Sequence, residues 1–435
     1  MRLLPSVLLL LLFAACNPPE IPVTEAFPSP EWSKFQTPSE DWDSSLTKEI
    51  FYDKILGALV GAAIGDAMGA PTEMWHRESI RAQWGYVDTF TDVIRNADPE
   101  GTWEDNLPPG GTTDDTRWKI LVGQYLCAPE TSPDSLNART FAHFLMDTYS
   151  REQKQARQTE TFDPEPLEHE MMHPAWLQEW AKVAKPYLED NLDAYAEAVD
   201  KFYGGEITCG GMLYAPLIGA FFPANPEKAY REAFRLGFFD IGYARDITGL
   251  TAAMVSQAMR PGVDYKEITH VCRTVDPKRY ANSRLLGRRS MWHLMDAKRI
   301  AYEAKQIQTP DPKLPPVLRR LKRDALYLTQ LDKAYTLLDE KLQDVAFHAG
   351  EIHLINLTAL EFSEGDFQKA LEFVANYGRD NDTVGAVTGT VLGAWYGYQR
   401  LPPGLAKTCL ATQKRVLGFD LEALARALTE RKFNQ

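Results

Sequence analysis

The chain has 435 residues, enough for two or three domains or one large one, and 44% of them are hydrophobic, which allows a sizeable core. Its formal net charge of −13 opposes nucleic acid as a main partner, because phosphate contacts need basic surface. It leaves room for a small anionic ligand in a local pocket.

The first stretch, "MRLLPSVLLLLLFAAC", has one basic residue, an apolar centre and small residues before Cys16. That pattern predicts a secretory signal over residues 1–15. The ending Ala14-Ala15-Cys16 resembles a bacterial lipoprotein signal, cleaved ahead of a cysteine that then carries lipid. A plain secretory signal with a chance cysteine is the alternative. The apolar run is too short for a spanning helix. Residues 16–48, rich in Pro, Ser, Glu and Trp, read as a tether, lipid-anchored or merely flexible. The expected location is therefore exported: periplasmic or outer-membrane-associated, held at the membrane through Cys16.

Beyond the tether, apolar residues recur at helical intervals. The pattern predicts helices over 52–68, 115–127, 226–237, 246–259, 283–306, 317–343, 367–376 and 383–398, with long loops at 85–112 and 152–176. Alternating strand patterns are scarce, so the fold class is all-α, in one domain over 49–435. In the first helix Gly57, Gly61 and Gly65 fall every fourth residue, and Gly385, Gly389, Gly393 and Gly397 do so in the last. A glycine inside a helix costs roughly 1 kcal/mol relative to alanine, so seven of them imply a return. Close backbone approach along an i, i+4 ridge is the return expected, and it would bring Asp66 towards the acids at 380–382. The segment 283–345 is basic and helical and reads as an insertion whose charges form a solvated face. Cys127, Cys209, Cys272 and Cys409 are far apart and read as small buried residues.

Two stretches carry candidate chemistry. "TTDDT" sets Thr113, Asp114 and Asp115 at the start of a helix. "GRDNDT" sets Asp380, Asp382 and Thr383 at the start of another. Either alone could be helix capping. Together they form a hard-oxygen set suited to Mg²⁺, Mn²⁺ or Ca²⁺, and four carboxylates at one place would repel strongly without cations among them. A rival match, His169-Glu170-Met171-Met172-His173, has the HExxH spacing of zinc peptidases, but Pro174 follows it directly and acidic residues flank it.

With "GALVGAAIGDAMGAPTE" and "CGGMLYAPLIG", these stretches occur in the order seen in ADP-ribosylglycohydrolases, and the chain resembles that family from about 52 to 400. The resemblance implies a compact orthogonal multi-helix bundle and hydrolysis of an ADP-ribosyl N- or O-glycosidic bond. The carrier would be a protein or a small molecule. It implies two Mg²⁺, with Mn²⁺ possible, ligated by Thr113, Asp114 and Asp115 from one side and by Asp380, Asp382 and Thr383 from the other. Glu73, Asp114, Asp115 and Asp382 would be the catalytic acids. Cys209, Gly210, Gly211 and Met212 would form a loop against the ribose and phosphates. The chain departs from the family pattern at Leu213, at Thr248-Gly249, and at Arg379 and Asn381, all near the ligand. A binding protein that holds ADP-ribose without cleaving it is the non-enzymatic alternative.

Overall fold

Thr47 accepts a hydrogen bond from the Ile50 amide at 3.3 Å and so opens α1 (Lys48–Gly69), the helix expected over 52–68. The computed structural model describes residues 45–94, 106–159 and 175–433. After α1 come α2 (Arg77–Trp84), α3 (Asp114–Cys127), α4 (Ala138–Thr159), α5 (Ala175–Leu188), α6 (Leu192–Asp200) and α7 (Ala215–Phe221). Then follow α8 (Pro226–Leu236), α9 (Ala244–Ala258), α10 (Tyr265–Thr274), α11 (Arg289–Lys305), α12 (Pro316–Arg319) and α13 (Ala325–Asp339). The last are α14 (Ala349–Ser363), α15 (Phe367–Tyr377), α16 (Asn381–Tyr396), α17 (Pro403–Arg415) and α18 (Leu421–Phe433). Among the described residues the one sheet is a pair of two-residue strands, β1 (Val93–Ile94) against β2 (Asn106–Leu107). The chain is all-α, as expected.

The glycine ridges decide the centre of the fold. Helices α1 and α16 run antiparallel, with Gly57 against Gly393, Gly61 against Gly389 and Gly65 against Gly385. At each pair a side-chain carbon would strike the partner's carbonyl oxygen, so only glycine permits this spacing. Gly69 extends the ridge by one turn, onto the backbone of Asn381 and Asp382. Gly397 plays another part: it ends α16 with φ +76. By length and composition α1 could cross a bilayer, but its apolar stretch is buried within the globule.

Three expectations need revision. Residues 317–343 form two helices, not one, because Asp324 accepts from the Leu326 amide at 2.9 Å and starts α13 afresh. The loop expected from 152 is helical as far as Thr159. In the basic segment, α11 and α13 bury Leu294, Ile300, Leu331 and Tyr335 in the main core. Its charges do not all form the expected solvated face, since Arg288 is 2% exposed. Helix α14 escaped the periodicity reading because it is buried on nearly every side and so shows no apolar stripe.

Candidate active site

The α1–α16 contact places two chain segments more than 300 residues apart side by side. Asp66 stands one residue past Gly65, and Asp382 lies in the first turn of α16. Asp66 is fully buried and accepts four hydrogen bonds from the start of α3. The donors are the Thr113 amide (2.9 Å) and hydroxyl (3.0 Å), and the Thr116 amide (3.0 Å) and hydroxyl (2.6 Å). A carboxylate of α1 thus caps α3, and neither Thr113 nor Asp380 caps its own helix with its side chain. Local capping therefore does not account for the two acidic motifs.

The motifs converge. Thr383 donates to Asp115 Oδ2 at 2.9 Å, and Thr113 Oγ1 is 3.1 Å from Asp382 Oδ2. That hydroxyl has one proton for two carboxylates, Asp66 and Asp382. Lys119, one turn beyond Asp115, brings an ammonium to within 3.4 Å of Asp115 Oδ1 and donates to its carbonyl at 3.0 Å. Burial raises the carboxyl of Asp66, with Asp115 and Asp382 adding to the effect, and it raises Asp115 against the opposing Lys119 charge. Burial holds Asp380 well above the usual carboxylate range, with Asp382, Glu73 and Asp115 reinforcing it.

Oxygens of Glu73, Asp380 and Asp382 come within 4.8 Å of one another. Asp382 Oδ1 is buried and has no hydrogen-bond partner. An orphaned carboxylate oxygen among crowded acids and threonine hydroxyls is a donor set that fits a hard divalent cation. Glu73 is set by a strap that lies on the second acidic loop. Met74 donates to the Arg379 carbonyl at 2.7 Å, and Arg379 donates back to the Trp75 carbonyl at 3.2 Å. Gly378, at φ +93, lets the Trp75 carbonyl approach where a side chain would block it. The Arg379 side chain turns away from the acids and binds Glu351 through two nitrogens, at 2.6 and 3.0 Å.

A cavity of about 260 Å³ opens over these groups. Glu73, Asp114, Asp115, Asp380 and Asp382 line its acidic end, and none of the described lining residues is basic. Trp180, Tyr203 and Phe347 form an aromatic wall, with successive ring centroids 5.5 and 5.9 Å apart. Periodicity gave no hint of this wall, because nothing in an isolated aromatic marks it as facing a cavity. Asp66 and Lys119 were legible only as neighbours of the motifs, one after the glycine ridge and one at i+4 from Asp115.

Of the loop expected against the ligand, Cys209 and Gly210 line the cavity, while Gly211 and Met212 lie behind it. The Gly211 amide donates to Asp240 at 3.0 Å, and Asp240 also accepts from Thr248 at 2.6 Å. The Cys209 amide is likewise engaged, by the Phe347 carbonyl at 2.9 Å. Burial and the nearby Asp380 push the Cys209 thiol up, which disfavours the thiolate that a nucleophile needs. His169, Glu170 and His173 lie outside the described residues.

A family model described as ADP-ribosylglycohydrolase matches residues 47–435. The chain belongs to the ADP-ribosylglycohydrolase family. Two relatives match shorter stretches. The YegU protein of Escherichia coli (strain K12) is 53% identical over 38 residues, 9% of this chain and 11% of its own length. The ADP-ribosyl-[dinitrogen reductase] glycohydrolase of Rhodospirillum rubrum is 35% identical over 86 residues, 20% of this chain and 26% of its own. The aligned stretches thus span about a quarter or less of either relative. A solved structure described as an ADP-ribosylglycohydrolase-related protein complex covers 88% of this chain and 100% of its own, at 20% identity and a TM-score of 0.49. The acidic cluster, the glycine ridges and the 209–212 loop all fall within the residues matched by the family.

Proposed function

We propose that this ADP-ribosylglycohydrolase hydrolyses the N- or O-glycosidic bond joining an ADP-ribosyl group to a protein or small-molecule carrier. The observation that carries the reading is the convergence of two acidic motifs and Glu73 on one cavity, with Asp382 Oδ1 left unpartnered. Thr113, Asp114, Asp115, Asp380, Asp382 and Thr383 would hold two Mg²⁺, or Mn²⁺. Bound there, the ions supply positive charge to ribose oxygens and to an attacking water.

The chain's own groups do the rest. Asp66 holds Thr113 and Thr116 in register, so the α3 acids face the α16 acids. Glu73, half-buried in the cavity lining, can take a proton from water or return one to the leaving group. The aromatic wall offers flat surface to the ring of a bound substrate and narrows the access of bulk water. A peptidase reading gains no support from any described residue.

The test is calorimetric titration of ADP-ribose, with and without Mg²⁺, into the wild type and into Asp382→Asn. ADP-ribose release from arginine-, serine- and small-molecule-linked substrates is measured alongside. Magnesium-dependent binding that Asp382→Asn abolishes is the expected result. Equal binding in both proteins, or none in either, overturns the assignment. Binding without release from any linkage would favour a non-catalytic receptor.

A further inference from the structure

The catalytic reading does not use the basic segment, which is built in an unusual way. From Arg273 to Arg289 the sequence has six basic residues and one acid, Asp276, in a chain whose net charge is −13. Arg273, Lys278, Arg279, Arg284 and Arg289 are exposed. In their midst Leu285 is 91% exposed and Leu286 71%. Just beyond, Trp292, Met295 and Tyr302 share the outward face of α11, each about half exposed. Leucines held this far into water are unfavourable unless something covers them.

The protrusion is not slack chain. The Gly287 amide closes the turn on the Ser283 carbonyl at 3.2 Å, with Gly287 at φ +63. On one side, Arg288 is locked to Asp246 at 2.7 and 3.0 Å and to the Cys272 carbonyl at 3.3 Å. Ser290 and Tyr230 complete the Asp246 shell, each at 2.6 Å. On the other side, Asp276 accepts from the Tyr280 and Ala281 amides, both at 2.8 Å. Both feet of the turn are fixed, and the leucines between them point away from the core.

We propose that the 283–287 turn and the outward face of α11 form a docking surface for an anionic phospholipid bilayer. A protruding apolar tip with tryptophan beside it and arginines around its base matches an interface whose surface is negative and whose interior is apolar. A protein partner would need a deep pocket for Leu285, whereas acyl chains part around it. In an acidic chain, the six basic residues against one acid from 273 to 289 give this face a local charge that anionic lipid attracts. A lipid at Cys16, as expected from the sequence, would provide the first attachment and this face the second, orienting the globule.

The experiment uses the full chain with vesicles of phosphatidylglycerol and phosphatidylcholine, some carrying brominated acyl chains, and reads tryptophan quenching. Bromolipid quenching that Trp292→Phe removes is expected in phosphatidylglycerol vesicles and not in pure phosphatidylcholine. Leu285→Asp with Leu286→Asp lowers it about tenfold, and each charge lost in Arg279→Gln or Arg284→Gln weakens lipid partition about fivefold. All these side chains are exposed, and circular dichroism checks that the variants fold. Quenching unchanged by Trp292→Phe places the face away from the bilayer and overturns the proposal. Self-association that the double leucine variant abolishes, without any lipid effect, overturns it in favour of a second copy of the chain.

Discussion

Replacing Gly61 with alanine sets two effects of opposite sign against each other. Alanine favours a helix interior by about 1 kcal/mol over glycine. Against this, the new carbon would lie 3.0 Å from Gly393 Cα and 3.1 Å from the Gly389 carbonyl carbon, and closer still to the Gly389 oxygen. Carbon contacts are best at about 3.5–4.0 Å, and all three neighbours are backbone, which cannot rotate aside. Overpacking of this kind costs about 1–3 kcal/mol, and a facing backbone puts it at the upper end. The net expectation is a loss of about 1–2 kcal/mol. Gly404, in the first turn of α17, is the matched control: a side-chain carbon there meets nothing within 4 Å. Gly404→Ala should therefore be neutral or stabilising by up to about 1 kcal/mol. Urea unfolding of both variants gives the signs directly. Should Gly61→Ala be as stable as Gly404→Ala, the ridge is not in backbone contact and the account of the central helix pair fails. A companion readout follows from position. Gly65→Ala, nearest Asp66 and Asp382, should weaken Mg²⁺ binding more than Gly57→Ala at the far end of the ridge.

Two further outcomes test other parts of the molecule. Arg288→Met leaves Asp246 buried with only Tyr230 and Ser290 as partners, and should cost about 3–5 kcal/mol; adding Asp246→Asn should recover part of it, and a loss below about 1 kcal/mol would refute the anchoring role. The second concerns acid. His293 is pushed down to about 4 by burial and then by Arg289, with His348 and Lys341 adding and Asp296 opposing; His353 is pushed well below its ordinary value by burial, His293 and Arg288. The fold holds both rings neutral, while the unfolded chain takes up protons near pH 6.5, so stability is full above about pH 6.5 and falls as the pH drops towards about 4. Urea midpoints at about pH 7 and about pH 5 should differ by less in His293→Gln than in the wild type; an identical pH slope would remove His293 from the explanation.

How far the sequence could be read varied with the kind of signal. The i, i+4 glycines announced close helix packing, because the cost of glycine in a helix is local and visible. The acidic motifs were legible as a pair: either alone reads as helix capping, and only the repeat of clustered carboxylates and threonine at two helix starts points to a shared site. Helix α14 was hidden because complete burial erases the polar half of the pattern. The break at Asp324 was hidden because an aspartate can cap a helix or ride on its surface, and only its surroundings choose between the two.

The sequence by itself determined the all-α class, the central pair of glycine-bearing helices and the two acidic motifs that the fold brings together. Each follows from a residue's own chemistry or from its spacing along one helix. Only the tertiary structure decided that Asp66 caps a helix other than its own, and that Trp180, Tyr203 and Phe347 share one wall. It also decided that Arg288 is buried while Leu285, three residues earlier, stands in water. Burial and partnership are properties of what the rest of the chain brings to a residue, and contacts across hundreds of positions leave no local mark.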